Sequence, residues 1–366
     1  MPDIQLSYKT FDLQMRDSWS IASRQGVDGA GLSHTKTVFV KLEDKSGVLG
    51  IGEASPVPYY NESPETLIDY FKKIDRTRLD FTDPVSSESY IAQSGSKNFA
   101  AKCALSSALW NGAGISSDNS LCTLLNLPDK PLETESSFTI GLDTPEVIER
   151  KTADARSNPL LKLKVGLPSD LENLDALRRA APKARIRVDA NEAWKTPGEA
   201  LKNIEAFAQD PLIECVEQPM PRDTSDMDKS WLKARSPLPL MADESYLSSA
   251  DANIAVEHFD WVNVKLVKTG GPFAAARALQ KARELGLKTM IGCMIESSLL
   301  ISCAAHLMGL ADTLDLDGAA LSANDPFDGA VFDSGTIDRA PLIHGSGIGA
   351  VAKDPSFLTE GWQVCR

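Results

Sequence analysis

Three acidic residues each close a short apolar run. Asp189 follows Arg185-Ile186-Arg187-Val188, Glu217 follows Leu212-Ile213-Glu214-Cys215-Val216, and Asp243 follows Leu238-Pro239-Leu240-Met241-Ala242. Neighbours in this series are separated by about one strand, one helix and two short loops. Carboxylates at successive strand ends of a parallel barrel converge on one face. Three of them offer oxygen ligands to a hard cation. A single acidic strand end is commonplace; the recurrence is what points to a metal.

Lysines flank the series. In Leu160-Leu161-Lys162-Leu163-Lys164-Val165-Gly166 the two lysines share one face of a strand. On a solvated strand that is an ordinary polar stripe. In a barrel strand one face is covered by helices, so both lysines must point inward. Two close ammonium groups depress each other's pKa, which is how a lysine becomes a usable base near neutral pH. Trp261 to Lys268 reads as a further strand carrying Lys265. It lies four strands away, so its lysine faces the first pair across the barrel mouth. A cation between opposed lysines is apparatus for moving a proton on a carbon next to a carboxylate.

The elements that must hold these groups follow a rhythm. Short apolar runs begin near residues 136, 160, 185, 212, 238, 261, 288 and 313, with helix-like segments between them at 145–157, 169–181, 196–209, 226–234, 248–258, 272–285 and 297–309. Strands alternating with helices at this spacing give a parallel sheet, and eight strands close it. No helix of normal length follows the eighth. The fold class is α/β: a modified TIM barrel, (β/α)7β, over residues 121–322. Residues 1–120 lack the rhythm. Ile4–Met15, Thr35–Glu43 and Val48–Glu53 read as strands, and 63–71 and 100–112 as helices, the second apolar on one face. This is an α+β capping domain. Residues 323–366, Gly- and Asp-rich at first, are expected to leave the barrel and rejoin it.

Bulk properties narrow the setting. The chain has 366 residues, is 42% hydrophobic and 24% charged, and carries a net charge of −13. That acidity argues against nucleic acid or an anionic membrane as partner. Six cysteines show no paired spacing, Cys215 and Cys293 lie in apolar runs, and no signal peptide or membrane span is apparent; a reducing cytoplasm is expected. Oligomeric state is not legible.

With these residues on the page, the sequence resembles the enolase superfamily, in its muconate-lactonizing-enzyme subgroup. The carriers are K-x-K (Lys162, Lys164), D-x-N (Asp189, Asn191), E-Q-P (Glu217 to Pro219), A-D-E-S (Ala242 to Ser245), K-x-x-K-x-G-G (Lys265 to Gly271) and, in the cap, Gly52-Glu53-Ala54-Ser55-Pro56. The resemblance implies one Mg²⁺ per active site on Asp189, Glu217 and Asp243, with Mn²⁺ as the alternative. It implies Lys164 and Lys265 as the two bases, Lys162 tuning Lys164, and Asn191, Glu244 and Lys268 in supporting positions.

Within the subgroup the eighth strand discriminates. Leu314-Asp315-Leu316-Asp317-Gly318 puts two carboxylates on one face, which is either a polar strand end or a receptor for a cationic α-ammonium group. A D-x-D here resembles that of dipeptide epimerases. Met290-Ile291-Gly292-Cys293-Met294 resembles the strand of bacterial L-Ala-Glu epimerases, and it has no histidine of the mandelate-racemase kind. Thr139, Cys293, Met294 and Glu296 are counted with the substrate-binding residues; Glu296 would either alter dipeptide preference or face outward. Arg24, in the loop Trp19 to Gly26, is either a solvated cation or, by the resemblance, the partner of a Glu side chain. The expected activity is 1,1-proton transfer on a small dipeptide, L-Ala-L-Glu to L-Ala-D-Glu, in murein-peptide recycling. The rivals are epimerisation of hydrophobic or cationic dipeptides, N-succinylamino acid racemisation, o-succinylbenzoate synthesis, and dipeptide binding without turnover.

Overall fold

A computed structural model describes residues 4–19, 32–128, 132–343 and 345–365. The chain opens with an antiparallel meander, β1 (Ile4–Trp19), β2 (Leu32–Asp44) and β3 (Leu49–Ala54). The turn between β2 and β3 is set by Asp44, whose carboxylate accepts from the backbone N–H groups of Ser46 and Val48. Helices α1 (Pro64–Phe71), α2 (Pro84–Gln93) and α3 (Phe99–Ser117) follow. Ser63 caps α1 by accepting from Thr66 N, with Pro64 at the first helical position.

Helix α3 departs from expectation. It is buried on all sides from Ala100 to Gly114 rather than along one stripe. Its small residues allow β3 to press against it on one side while the barrel covers the other. Trp110 stacks on Phe273 of the barrel helix Pro272–Glu284, with ring centroids 5.6 Å apart.

After β4 (Glu133–Glu135), eight parallel strands form one sheet in sequence order: β5 (Phe138–Ile140), β6 (Leu160–Lys164), β7 (Arg185–Asp189), β8 (Ile213–Glu217), β9 (Leu240–Ala242), β10 (Trp261–Lys265), β11 (Lys288–Gly292) and β12 (Thr313–Asp315). A parallel bridge from Ser136 to Leu314 brings the two ends together. Along each strand Leu, Ile and Val face the helices, while alternate positions face the axis. Cys215, Met241 and Met290 make a small apolar cluster of their own. Beside it the buried Arg187 reaches Glu214 at 3.1 Å and the Leu314 carbonyl at 3.1 Å.

Two details correct the expected elements. The sixth barrel strand ends at Lys265, and Leu266–Thr269 is a helical turn closed by Gly270 at φ 95°. Helix α2 was not anticipated, although Asp83-Pro84 is the same cap-and-proline start as Ser63-Pro64. Beyond β12 the chain returns to the cap. Met15 bridges to Ser322, Phe327 and Phe357 pack on Phe39, and Gln363–Val364 pairs with β1. Residues 336–338 also pair with β4, so the segment before β5 is tied to the returning tail.

Candidate active site

Strand periodicity carries the chemistry to one place. Asp189, Glu217 and Asp243 come off consecutive strands, all are buried, and a carboxylate oxygen of each lies within 4.8 Å of the others. Glu217 and Asp243 are oriented from behind. Asn263 donates to Glu217 Oε1 at 2.9 Å, and Gln218 Oε1 accepts from the N–H groups of Asp243 (3.0 Å) and Ser245 (3.1 Å). Lys268, buried beneath, donates to the Asp243 carboxylate and, at 2.5 Å, to its carbonyl. Three buried, converging carboxylates suit a hard cation. Asn191 at φ 41° and Gln218 at φ 37° sit in the left-handed region directly after two of these strands, a strain that functional sites characteristically retain.

The lysines approach from both flanks. Lys164 Nζ lies 2.6 Å from Asp189 Oδ2 and 2.9 Å from Asn191 Oδ1; Lys265 Nζ lies 3.0 Å from Asp243 Oδ2. Asn191 in turn donates to Glu244 at 3.2 Å. Lys164, Lys265, Asn191, Asp243 and Glu244 line one cavity between barrel and cap.

Lys162 sits deeper than Lys164. It is buried in the barrel throat, 2.9 Å from Asp189, 2.8 Å from Glu217 Oε2 and 2.9 Å from Asp315. The Glu217 contact is an ion pair without hydrogen-bond geometry, since Oε2 has no well-directed donor. Burial pulls the Lys162 pKa down, but Asp189, Asp315, Glu217 and Asp243 outweigh it and hold the ammonium well above its ordinary range. Lys265 is likewise raised, with Asp243 overcoming desolvation. For Lys162 the shift is thus upward, not the depression expected of neighbouring lysines, because carboxylates surround it. Among the carboxylates, Asp189 is desolvated yet held at about 2 by Lys162 and Lys164, while burial and Asp189 push Glu217 up.

The eighth-strand pair divides its work. Asp315 accepts from Ser137 Oγ at 2.6 Å through one oxygen and from Lys162 at 2.9 Å through the other. Asp317 is held by the Thr139 N–H at 2.6 Å, and burial together with Asp315 pushes it up to about 7. Both line the cavity, but Asp317 is the one without a cationic partner among the described residues. Thr139, Cys293 and Met294 also line it. Cys293 is half-buried rather than inside a strand, and its thiol donates to the Asp315 carbonyl at 3.2 Å.

Glu296 corrects the expectation that it faces outward. It is 2% exposed, so it does not face outward, and it is absent from the cavity wall. Its carboxyl accepts from Met294 N at 3.0 Å, bracing the turn after β11, and burial and then Glu53 push it up to about 8. Arg24 lies outside the described residues.

The cap contributes residues that sequence reading missed. Tyr59 and Tyr60, in the short helical turn Pro58–Tyr60, line the cavity, and the Arg222 guanidinium stacks on both rings at 4.6 and 5.2 Å. Tyr59 also hydrogen-bonds Glu192, which accepts from Arg222 N at 2.6 Å. No barrel motif signals a tyrosine pair brought in from another domain. Asn263 was legible, since it shares a strand face with Lys265.

Residues 148–350 match the family described as enolase C-terminal domain-like. The chain is 45% identical to the L-Ala-D/L-amino acid epimerase of Pedosphaera parvula, over 96% of this chain and all of that one. It is 33% identical to the L-Ala-D/L-Glu epimerase of Bacteroides thetaiotaomicron, over 91% of this chain and 85% of that one. A substrate-liganded L-Ala-D/L-Glu epimerase from Bacillus subtilis shares the fold with a TM-score of 0.87 at 24% identity, covering 96% of this chain and 99% of that one.

Proposed function

Since the chain belongs to the enolase C-terminal domain-like family, we propose that it is a dipeptide epimerase moving the α-proton of the C-terminal residue between Lys164 and Lys265. One observation carries the reading. Lys164 and Lys265 line a single cavity and ion-pair Asp189 and Asp243 of the buried carboxylate triad, and the same cavity is lined by Asp317, a carboxylate without a cationic partner among the described residues. Asp189, Glu217 and Asp243 would hold Mg²⁺, or Mn²⁺ in its place. When bound, such an ion neutralises a substrate carboxylate and so acidifies the carbon beside it.

The chain's own residues supply the rest. The neutral amine of one lysine accepts the α-proton, and the ammonium of the other returns a proton to the opposite face. Asp243 and Asp189 now ion-pair these lysines, so cation loading and lysine basicity are linked through shared carboxylates. The substrate ammonium falls to Asp317, with Asp315 behind it. Six unbridged cysteines fit a reducing, cytoplasmic setting. Residues 1–120, 121–322 and 323–366 serve as cap, barrel and returning segment. Preference for L-Ala-L-Glu, and with it murein-peptide recycling, depends on Arg24.

The test is incubation of L-Ala-L-Xaa dipeptides in D₂O with Mg²⁺, read by mass spectrometry. One deuterium per molecule, lost after chelation with EDTA and restored by Mg²⁺, is expected. Labelling of N-succinylamino acids alone would replace this reading with the racemase.

A further inference from the structure

Resting on the epimerase reading, we propose that Arg222 is a positioning residue for that reaction: from the barrel loop after β8 it grips Tyr59 and Tyr60 of the cap and sets them as a wall of the cavity. The two rings meet edge to face, with centroids 5.1 Å apart and planes at 81°, and the one guanidinium lies 4.6 and 5.2 Å from their centroids. Among the described residues the cavity is lined by both tyrosines and not by Arg222, so the cation acts through the rings rather than on a substrate. A guanidinium against aromatic rings gains electrostatic attraction as well as contact.

The grip is built from strand ends that carry the carboxylate triad. Arg222 lies in the loop that Glu217 opens, and Glu192 in the loop that Asp189 opens. Glu192 Oε1 accepts from Arg222 N at 2.6 Å, the Arg222 carbonyl accepts from Lys229 Nζ at 2.6 Å, and the Glu192 N–H donates to the Gln218 carbonyl at 2.9 Å. Glu192 holds the left-handed region at φ 66° and also hydrogen-bonds the Tyr59 hydroxyl. The two loops thus brace each other, and both reach the same cap turn. Within the cap, that turn is tied down by Glu62, which accepts from Ala100 N of α3 at 3.0 Å. The cap as a whole docks elsewhere, through Trp110 on Phe273 and through Glu53, which accepts from Ser297 N at 3.0 Å. Loss of the Arg222 side chain therefore loosens Tyr59 and Tyr60 from the barrel without undocking the cap.

Deuterium labelling of L-Ala-L-Xaa dipeptides and amide exchange of residues 57–62 test this on Arg222→Ala, Arg222→Lys, Tyr59→Leu and the double variant Arg222→Ala/Tyr59→Leu. For Arg222→Ala, KM should rise about 3- to 30-fold, the scale of a partly desolvated cation–aromatic contact, with kcat changed less and Tm close to wild type. Arg222→Lys should recover only part of that, because an ammonium keeps the charge and loses the flat face. The double variant should be no worse than the more impaired single one, since both remove one contact. Exchange at 57–62 should quicken in Arg222→Ala while the rest of the cap keeps its rate. Effects that multiply, a KM equal to wild type, or unchanged exchange would overturn the proposal and leave the epimerase intact. Quicker exchange across the whole cap would mark a structural role and overturn it as well. A wild type that labels no dipeptide would remove the epimerase reading, and with it the part of Arg222 in the reaction, whatever the exchange shows.

Discussion

At the scale of single residues, the two lysines are separable because each faces one side of the reacting carbon. Removing either base should cost epimerisation about 10³-fold, within the range for a lost general acid or base. Lys164→Ala and Lys265→Ala should nevertheless differ in labelling. Each should still wash deuterium, without inversion, into the epimer whose α-hydrogen faces the lysine that remains, and no longer into the other. Chiral separation of labelled product reads this, and equal labelling of both epimers by either variant would refute a base on each face. The aspartate pair makes a second contrast. Asp317→Asn removes a carboxylate that accepts from the N–H and side chain of Thr139, so KM should rise ~10- to 100-fold with kcat little changed. Asp315→Asn instead weakens the anchor of Lys162, and its effect should fall on kcat and on stability. Strand alternation made all these residues legible, because position i and i+2 share a face whatever the tertiary fold. It could not show that Asp315 is already engaged by Lys162, which is a contact between the second and eighth barrel strands.

At the scale of elements, the cap depends on how closely β3 approaches α3. A methyl group at Gly52 would sit 2.1 Å from the Ala104 carbonyl, and one at Gly50 would sit 2.1 Å from the Ala108 carbonyl. Both neighbours are helix backbone and cannot swing aside. Gly52→Ala should therefore cost about 1–3 kcal/mol, the scale of overpacking a core, and lower Tm by several degrees. Since β3 leads directly into Ser55, Pro56 and Val57 of the cavity wall, KM should rise with it; an unchanged Tm would mean the sheet shifts freely. The existence of α3 was legible from its run of small apolar residues. Its two-sided burial was not, because periodicity identifies one stripe and cannot tell that a second body covers the other. The same limit hid Tyr59 and Tyr60: their place over the barrel comes from packing of one domain on another, held by Arg222 from the barrel loop after β8.

At the scale of the whole molecule, buried titratable groups outside the site set how stability depends on pH. Glu88 of α2 accepts from Ser106 Oγ at 2.7 Å and Trp110 Nε1 at 3.1 Å, both on α3. Burial, only partly offset by those donors, pushes its carboxyl up to about 7 from an ordinary 4.5. The folded state therefore holds a proton that the unfolded chain has released. Its contribution to stability is complete below pH 4.5 and is lost as pH rises through 7, with a magnitude of about 3 kcal/mol. His306, packed against the Ile348 carbonyl of the returning tail, acts in the opposite sense. Burial depresses it to about 4, so its contribution is complete above pH 6.5 and is lost as pH falls through 4. The two slopes oppose each other between about pH 4.5 and 6.5, and the alkaline loss belongs to the carboxyl. Glu88→Gln keeps an oxygen for Ser106 and Trp110 and stays neutral at every pH. Urea denaturation should find the variant close to wild type at pH 5 and more stable than it by about 3 kcal/mol at pH 8. A difference independent of pH would mean that Glu88 is ionised in the folded protein and that its contacts with α3 are those of a buried carboxylate.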